Sequence, residues 1–329
     1  MTRVSSGRCI RFLSRFLLPW LVLLLAGCAT ADEKRAGAWS FAIIGDTPYN
    51  TTEEADLEFS IDEINRDEIA FVVHIGDIKS GSSRCSDELF EDRKARFNRI
   101  RHALVLLPGD NDWTDCHRPR AGGYDPVERL AALRRIFHSG DTSLGQRPMP
   151  IERQSREPRH SAYRENVRWV AGNIVFVAIN VPGSNNNLGR TPAMDAEHRE
   201  RMKANFAWLD EAFRIAAQKK LAAVVILTQA NPGLDFLGRL RIGNPDGYTE
   251  LRASLAAHAL AFGGQVLFVH GDTHTYRVDR PFNHPVTGTT IWNLTRLETF
   301  GSPYTNWVRV TVEPSDPQLF SFRPGGPLR

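Results

Sequence analysis

Cysteine is scarce in this chain of 329 residues: Cys9, Cys28, Cys85 and Cys116 are all there are. Four are too few for a cysteine-rich zinc module or for a scaffold stapled by many disulfides. A surplus of one charge is missing as well. Lys and Arg number 41 against 38 Asp and Glu, and Arg3, Arg8, Arg11 and Arg15 crowd into the first fifteen residues. Without residues 1–27 the balance becomes 37 against 38, a net charge of −1. No basic surface remains on which to argue for nucleic acid. The apolar run FLLPWLVLLLA at 16–26 is short, since a membrane span needs about 20 residues. What is present is ordinary globular material, 42% hydrophobic and 24% charged, in enough chain for one large domain or two small ones.

The basic start, the apolar run and the tetrapeptide LAGC (Leu25 to Cys28) read together as an export signal. LAGC resembles the lipobox of bacterial lipoproteins, where the cysteine becomes the lipidated first residue of the mature chain. A plain cleavable signal beside a thiol is the alternative. On the lipoprotein reading, residues 1–27 are the signal peptide, 28–38 a tether and 39–325 the folded domain. Ala29, standing after Cys28 in place of Asp, points to an outer-membrane lipoprotein facing the periplasm, attached to the membrane by its N-terminal lipid. Cys85 and Cys116 then remain in an oxidising setting. A disulfide between them is the economical reading, and two free thiols the alternative.

Short apolar runs at 40–46, 71–77 and 103–110 predict buried strands. Between and after them lie helical patterns. Leu57, Ile61 and Ile64 recur within 53–65; Phe90, Phe97 and Ile100 within 86–101; Val127, Leu130, Leu133 and Phe137 within 126–137, behind Pro126. This β-α-β-α-β-α order argues for a parallel sheet. Residues 139–160 read as a long loop, and a turn at Gly172-Asn173 separates two strands. Met202, Phe206, Leu209, Phe213 and Ala216 define a helix over 195–218, with Asp195 as its cap. Further strands are expected at 221–232 and 265–274 around a helix near 248–262. Short strands follow at 275–282, 289–295, 306–313 and 318–323.

Four of the strands end on the same dipeptide: Gly45-Asp46, Gly76-Asp77, Gly109-Asp110 and Gly271-Asp272. Gly-Asp alone is a turn signal, and a fifth copy at 140–141 lies in loop. In open α/β sheets, however, the loops after strand C-termini build the site. Carboxylates gathered there repel one another unless a cation joins them. The later strand is expected to deliver Asp272 and His274 to the same sheet edge as Asp46, Asp77 and Asn111.

The order of these motifs resembles the calcineurin-like metallophosphoesterases. That family places Asp-x-His, Gly-Asp, Gly-Asn-His-Asp/Glu, a lone His and Gly-His-x-His at successive strand ends. Here the five are GDTPYN, GDIKSG, GDND, LTQANP and GDTH, within residues 40–276. Asp46, Asp77, Asn111 and His274 match, while Pro48, Gln229 and Asp272 stand where histidine is usual. Purple acid phosphatases also lack the first His and carry a Tyr three residues after the second-motif Asp. Ser80 holds that position here, and Tyr49 is near in sequence without being equivalent.

The resemblance implies a four-layer α/β/β/α sandwich with mixed sheets, and a metal site of Asp46, Asp77, Asn111, Asp272, His274 and Gln229. It implies one or two divalent ions. Carboxylate and amide in place of imidazole favour Mn, Mg or Ca over Zn, with Fe possible. A metal there lowers the pKa of water and polarises a phosphoryl oxygen. Asp110, Asp112 and His117 are the candidates to assist the leaving group, and Lys79 and Asn185 to hold substrate. The expected activity is hydrolysis of a phosphoric monoester or diester, of a phosphorylated small molecule or lipid. The alternative is a non-catalytic cell-envelope binding protein of the same fold, which holds a divalent cation or an organic phosphate.

Overall fold

Alternation of side chains along each strand divides this protein into layers. In the computed structural model, which describes residues 37–235, 243 and 245–327, β1 (Trp39–Ile44), β2 (Phe71–His74) and β3 (Ala103–Leu106) run parallel and adjacent. Phe41, Ile43, Phe71, Val73 and Val105 point to one face, and Ala42, Ile44, Val72, Leu104 and Leu106 to the other. The second face packs on α1 (Thr51–Arg66), α2 (Asp87–Phe97) and α3 (Pro126–Phe137) through Leu57, Ile61, Phe90, Phe97, Leu130 and Leu133. Burying each such side chain is worth about 1.5–3 kcal/mol.

The first face meets a second sheet. That sheet contains β4 (Glu152–Arg153), β5 (Val167–Ala171), β6 (Ile174–Ala178), β7 (Ala223–Leu227), β8 (Gln265–His270), β9 (Arg277–Asp279) and β10 (Leu294–Glu298). Its order is β4-β5-β6-β7-β8-β10-β9, parallel from β6 to β10 and antiparallel at both edges. The first sheet is completed by β11 (Trp307–Val312) and β12 (Phe320–Gly325), both antiparallel, in the order β12-β11-β1-β2-β3. Phe41, Phe71, Trp169 and Phe176 meet between the sheets, with ring centroids 5.0–5.4 Å apart in stacked and edge-on pairs. The outer face of the second sheet is covered by α4 (Pro192–Gln218) and α5 (Thr249–Phe262) through Trp208, Leu209, Phe213, Leu251 and Leu255. Helix, sheet, sheet, helix is the layering expected.

Several expectations change. Asp272 and His274 follow β8, so they reach the site from the second sheet and not from the edge that carries Asp46 and Asp77. The long helix starts at Pro192, and Thr191 caps it by accepting from the Met194 amide; Asp195 instead accepts from the Gly189 amide at 2.7 Å. Val127 lies 41% exposed and is no part of the core. The strand expected at 289–295 is displaced to Leu294–Glu298. Its Arg296 and Glu298 are buried, with Arg296 paired to Asp279 and Glu298 to Arg277, so a strand interior carries charges that conceal its pattern. The export signal, Cys28 and most of the tether lie outside the described residues.

Candidate active site

Asp46, Asp77 and Asp272 share a backbone state. Their φ angles are 51°, 57° and 73°, the left-handed region, which Asp tolerates better than most residues. His274 follows at φ 59°. Each strand therefore turns sharply where its acid stands. The glycines before the acids serve close approach between loops. A Cβ on Gly109 would fall 2.0 Å from Oδ1 of Asp77, and one on Gly271 would fall 2.0 Å from Oδ2 of Asp46. Each of these glycines makes room for the carboxylate of another loop.

The two sheets meet chemically at Asp46, whose carboxylate accepts from the Asp272 amide at 3.1 and 3.2 Å. Gln229, after β7, donates its Nε2 to Asp46 at 3.4 Å while its oxygen accepts from the Gly183 amide at 2.6 Å. His274 gives its Nδ1 to the Ser302 carbonyl at 2.7 Å. That contact fixes the ring and turns Nε2 into the cluster, 3.3 Å from the Tyr49 hydroxyl and 3.8 Å from Asp46 Oδ1. Asp77 lies at the centre. Its Oδ1 accepts from the Asn111 amide at 3.0 Å, and its Oδ2 from Asn111 Nδ2 at 2.7 Å and Tyr49 at 2.9 Å.

Burial dominates the electrostatics. It pushes Asp46 well above the usual carboxylate range, and the charge of Asp272 adds to the effect. Burial does the same to Asp77, followed by Asp110 and Asp112. The Tyr49 phenol is likewise raised by burial and the neighbouring carboxylates. Among the described residues neither Asp46 nor Asp77 has a Lys or Arg in ion-pair contact. A cluster of acids and amides with one imidazole, whose two most buried acids have no Lys or Arg in ion-pair contact among the described residues, fits the chemistry of a hard divalent cation. Asp46, Asp77, Asp272, Asn111 and His274 are the residues that would hold it. Among the described residues no group of three or more His, Cys, Asp or Glu is already spaced to do so.

The remaining candidates divide. Asp110, 8% exposed, faces the cluster: a Cβ on Gly183 would touch its Oδ2 at 2.8 Å and Asp272 Oδ1 at 2.6 Å. Asp112 is fully committed to structure, which takes from it the role of proton donor. Its oxygens accept from the amides of Gly109 (2.8 Å), Asp77 (2.9 Å) and Ile78 (2.9 Å), tying two motif loops together. Burial raises it to about 6, against those bonds and the charge of Lys79. Lys79 is buried, donates to the Ser80 carbonyl at 2.9 Å, and lies closed to a substrate. Burial lowers its pKa, and it supplies countercharge to Asp112 and Asp77 from behind. Asn185 spends its amide on the Leu188 and Pro245 carbonyls and its oxygen on the Gly247 amide, so it braces a loop and offers nothing to substrate. His117 sits at the mouth of a neighbouring cleft, outside the acid cluster.

Three contributors escape a strand-end pattern. Tyr49 reaches Asp77 from the loop after β1. Ser184, inside the run flagged for its asparagines, places its hydroxyl 2.8 Å from Asp110 and 2.9 Å from Asp115. Burial and the charge of Asp110 raise buried Asp115 to about 7. The disulfide Cys85–Cys116 joins the loop after Asp77 to the loop after Asn111, as the cysteine count suggested.

No protein-family model matches the sequence, and no curated protein matches it. Solved structures do match by shape. One is described as the structure of PhoD: TM-score 0.53, 13% identity, covering 84% of this chain and 64% of that one. Another is purple acid phosphatase PPD1 from yellow lupin (Lupinus luteus) seeds: TM-score 0.51, 12% identity, covering 88% of this chain and 53% of that one. This chain thus spans less than two thirds of the length of either. The two mixed sheets, their helical outer layers and these likenesses together establish that the chain has the calcineurin-like metallophosphoesterase fold.

Proposed function

We propose that this protein is a metal-dependent phosphoric ester hydrolase, held outside the cytoplasm by a lipid on Cys28. The observation that carries the reading is the convergence of Asp46, Asp77 and Asp272 from two sheets, the first two buried with no Lys or Arg in ion-pair contact among the described residues. A divalent cation, Mn, Mg or Ca before Zn on this oxygen-rich set, supplies Lewis acidity toward a phosphoryl group when bound there. Asn111 orients the central carboxylate, His274 turns its Nε2 toward Asp46 and Tyr49, and Tyr49 donates its hydroxyl proton to Asp77. The disulfide supports an oxidising compartment, in keeping with an outer-membrane lipoprotein facing the periplasm.

A second reading is a non-catalytic envelope protein that binds a cation or an organic phosphate. One observation favours it: both oxygens of Asp77 already accept hydrogen bonds from the protein. Metal analysis of the purified mature protein, beside a panel of phosphomonoesters and diesters, separates the two. Bound metal with turnover is expected; bound metal without turnover on any ester selects the binder. Cys28→Ser should move the protein from the membrane fraction to the soluble periplasm. Retention in the membrane at the wild-type level would place the anchor elsewhere.

A further inference from the structure

Beside the acid cluster lies a cleft of about 300 Å³ whose lining includes Asp115, His117, Arg118, Ser184 and Arg190. Ser184 belongs to both places, since its hydroxyl also reaches Asp110 at 2.8 Å. The cleft is cationic where the cluster is anionic. Arg118 pairs with buried Asp115 at 2.6 Å. Arg190 has no carboxylate within ion-pair distance among the described residues; its guanidinium donates to the Thr114 carbonyl and to Asn187 Oδ1, both at 2.6 Å, and touches His117. Among the described residues, two guanidinium groups thus share a cleft with one carboxylate on its lining. Burial lowers the pKa of Arg190, and Arg118 adds to it, against the charges of Asp115, Asp110 and Glu197.

A tie between two loops needs donors but not a second positive charge, and like charges placed together cost stability. The wall behind them is built at a cost as well. Ser184, Asn185, Asn186 and Asn187 are four successive left-handed residues, φ 49° to 64°. Buried Arg201 holds that run by donating to Asn186 Oδ1 at 2.7 Å and to the Asn186 carbonyl at 3.0 Å. Strain fixed in this way points to a site more than to a connector.

We infer that this cleft is an anion subsite, in which Arg118 and Arg190 receive a second anionic group, phosphate or carboxylate, of a substrate whose ester phosphate lies at the acid cluster. The inference rests on the phosphoesterase reading and narrows it to esters that carry two anionic groups. Guanidinium forks suit either oxyanion.

Two measurements test it. In the first, metal-stripped mature protein is titrated calorimetrically with inorganic phosphate and, separately, with acetate. Saturable binding is expected, weakened by about tenfold or more in Arg190→Gln and in Arg118→Gln, each loss being that of a charge-assisted contact. The anion that binds tells phosphate from carboxylate. Thermal melting verifies that each variant is folded, and should one fail to fold, the other decides. Absence of saturable binding by either anion, or equal binding in wild type and variants, overturns the subsite. In the second, kcat/KM is compared for a phosphoester with a second anionic group and its neutral counterpart. The wild-type preference for the doubly anionic ester should fall about tenfold in the variants, and an unchanged preference overturns the inference. A wild type that hydrolyses no ester at all defeats the phosphoesterase reading alone, and the titration still decides the subsite.

Discussion

The Tyr49 hydroxyl donates to Oδ2 of Asp77 at 2.9 Å, although the two residues stand on loops that leave different strands. The same oxygen accepts from Asn111 Nδ2 at 2.7 Å. Tyr49 therefore stabilises whatever charge Asp77 carries. In metal-free protein, Tyr49→Phe removes that donor from a buried carboxylate and should cost about 1–3 kcal/mol of unfolding free energy. Denaturant unfolding measures it, and a curve identical to wild type refutes the role assigned to the phenol.

Asp77→Asn keeps the size of the central side chain and removes its charge. Bound metal should fall by more than the roughly tenfold typical of losing an outer-shell partner, and turnover should fall with it. Asp141→Asn is the control. That Gly-Asp lies in an exposed loop, where Asp141 pairs with Arg156 at 3.3 Å, a surface pair of little consequence. Metal content and turnover at wild-type values in Asp77→Asn would show that the acids do not form a metal site.

Stability of the metal-free protein should fall as pH rises from about 6.5 to 8. Asp46 and Asp77 have folded pKa values raised well above their unfolded ones, so the fold holds protons that the unfolded chain has already lost. Their contribution is complete below the unfolded pKa of about 4 and disappears as pH rises through the folded values. Asp115, raised to about 7, acts in the same direction. His74, lowered to about 4, and His138 and His270, each lowered to about 3, oppose it in acid, where stability is lost as pH falls below about 6.5. Above that pH the carboxylates dominate. Added Mn should reverse the decline by binding the ionised acids. Melting temperatures that rise between pH 6.5 and 8 without metal would contradict this.

The disulfide joins Cys85 and Cys116 across a sequence separation of 31. Replacing both by Ala should lower stability by about 3–4 kcal/mol in the chain-entropy model. It should also loosen the 110–116 loop against the 77–85 loop, which peptide-resolved hydrogen exchange detects. Non-reducing peptide mapping that finds both thiols free in periplasmic protein would refute the bond itself.

By itself the sequence determined the elements with strong local signals. Strands β1, β2, β3, β6, β7 and β8 were legible because both their faces are buried, so each is a continuous apolar run. Helices were legible where one face alternates with solvent at helical spacing. The four Gly-Asp ends were legible because a sharp turn constrains residue type locally. Tertiary structure decided the rest. Which sheet Asp272 belongs to depends on the pairing of β8 with β7 and β10, and pairing between distant strands leaves no local mark. The glycines at 109 and 271 look like turn residues, yet the atoms they make room for lie in Asp77 and Asp46. Asp112 and Lys79 read as reactive groups, and the fold closed both away. Tyr49 and Ser184 entered the site for the converse reason: a hydroxyl is placed by the approach of two loops, and that approach is a property of packing and not of spacing along the chain.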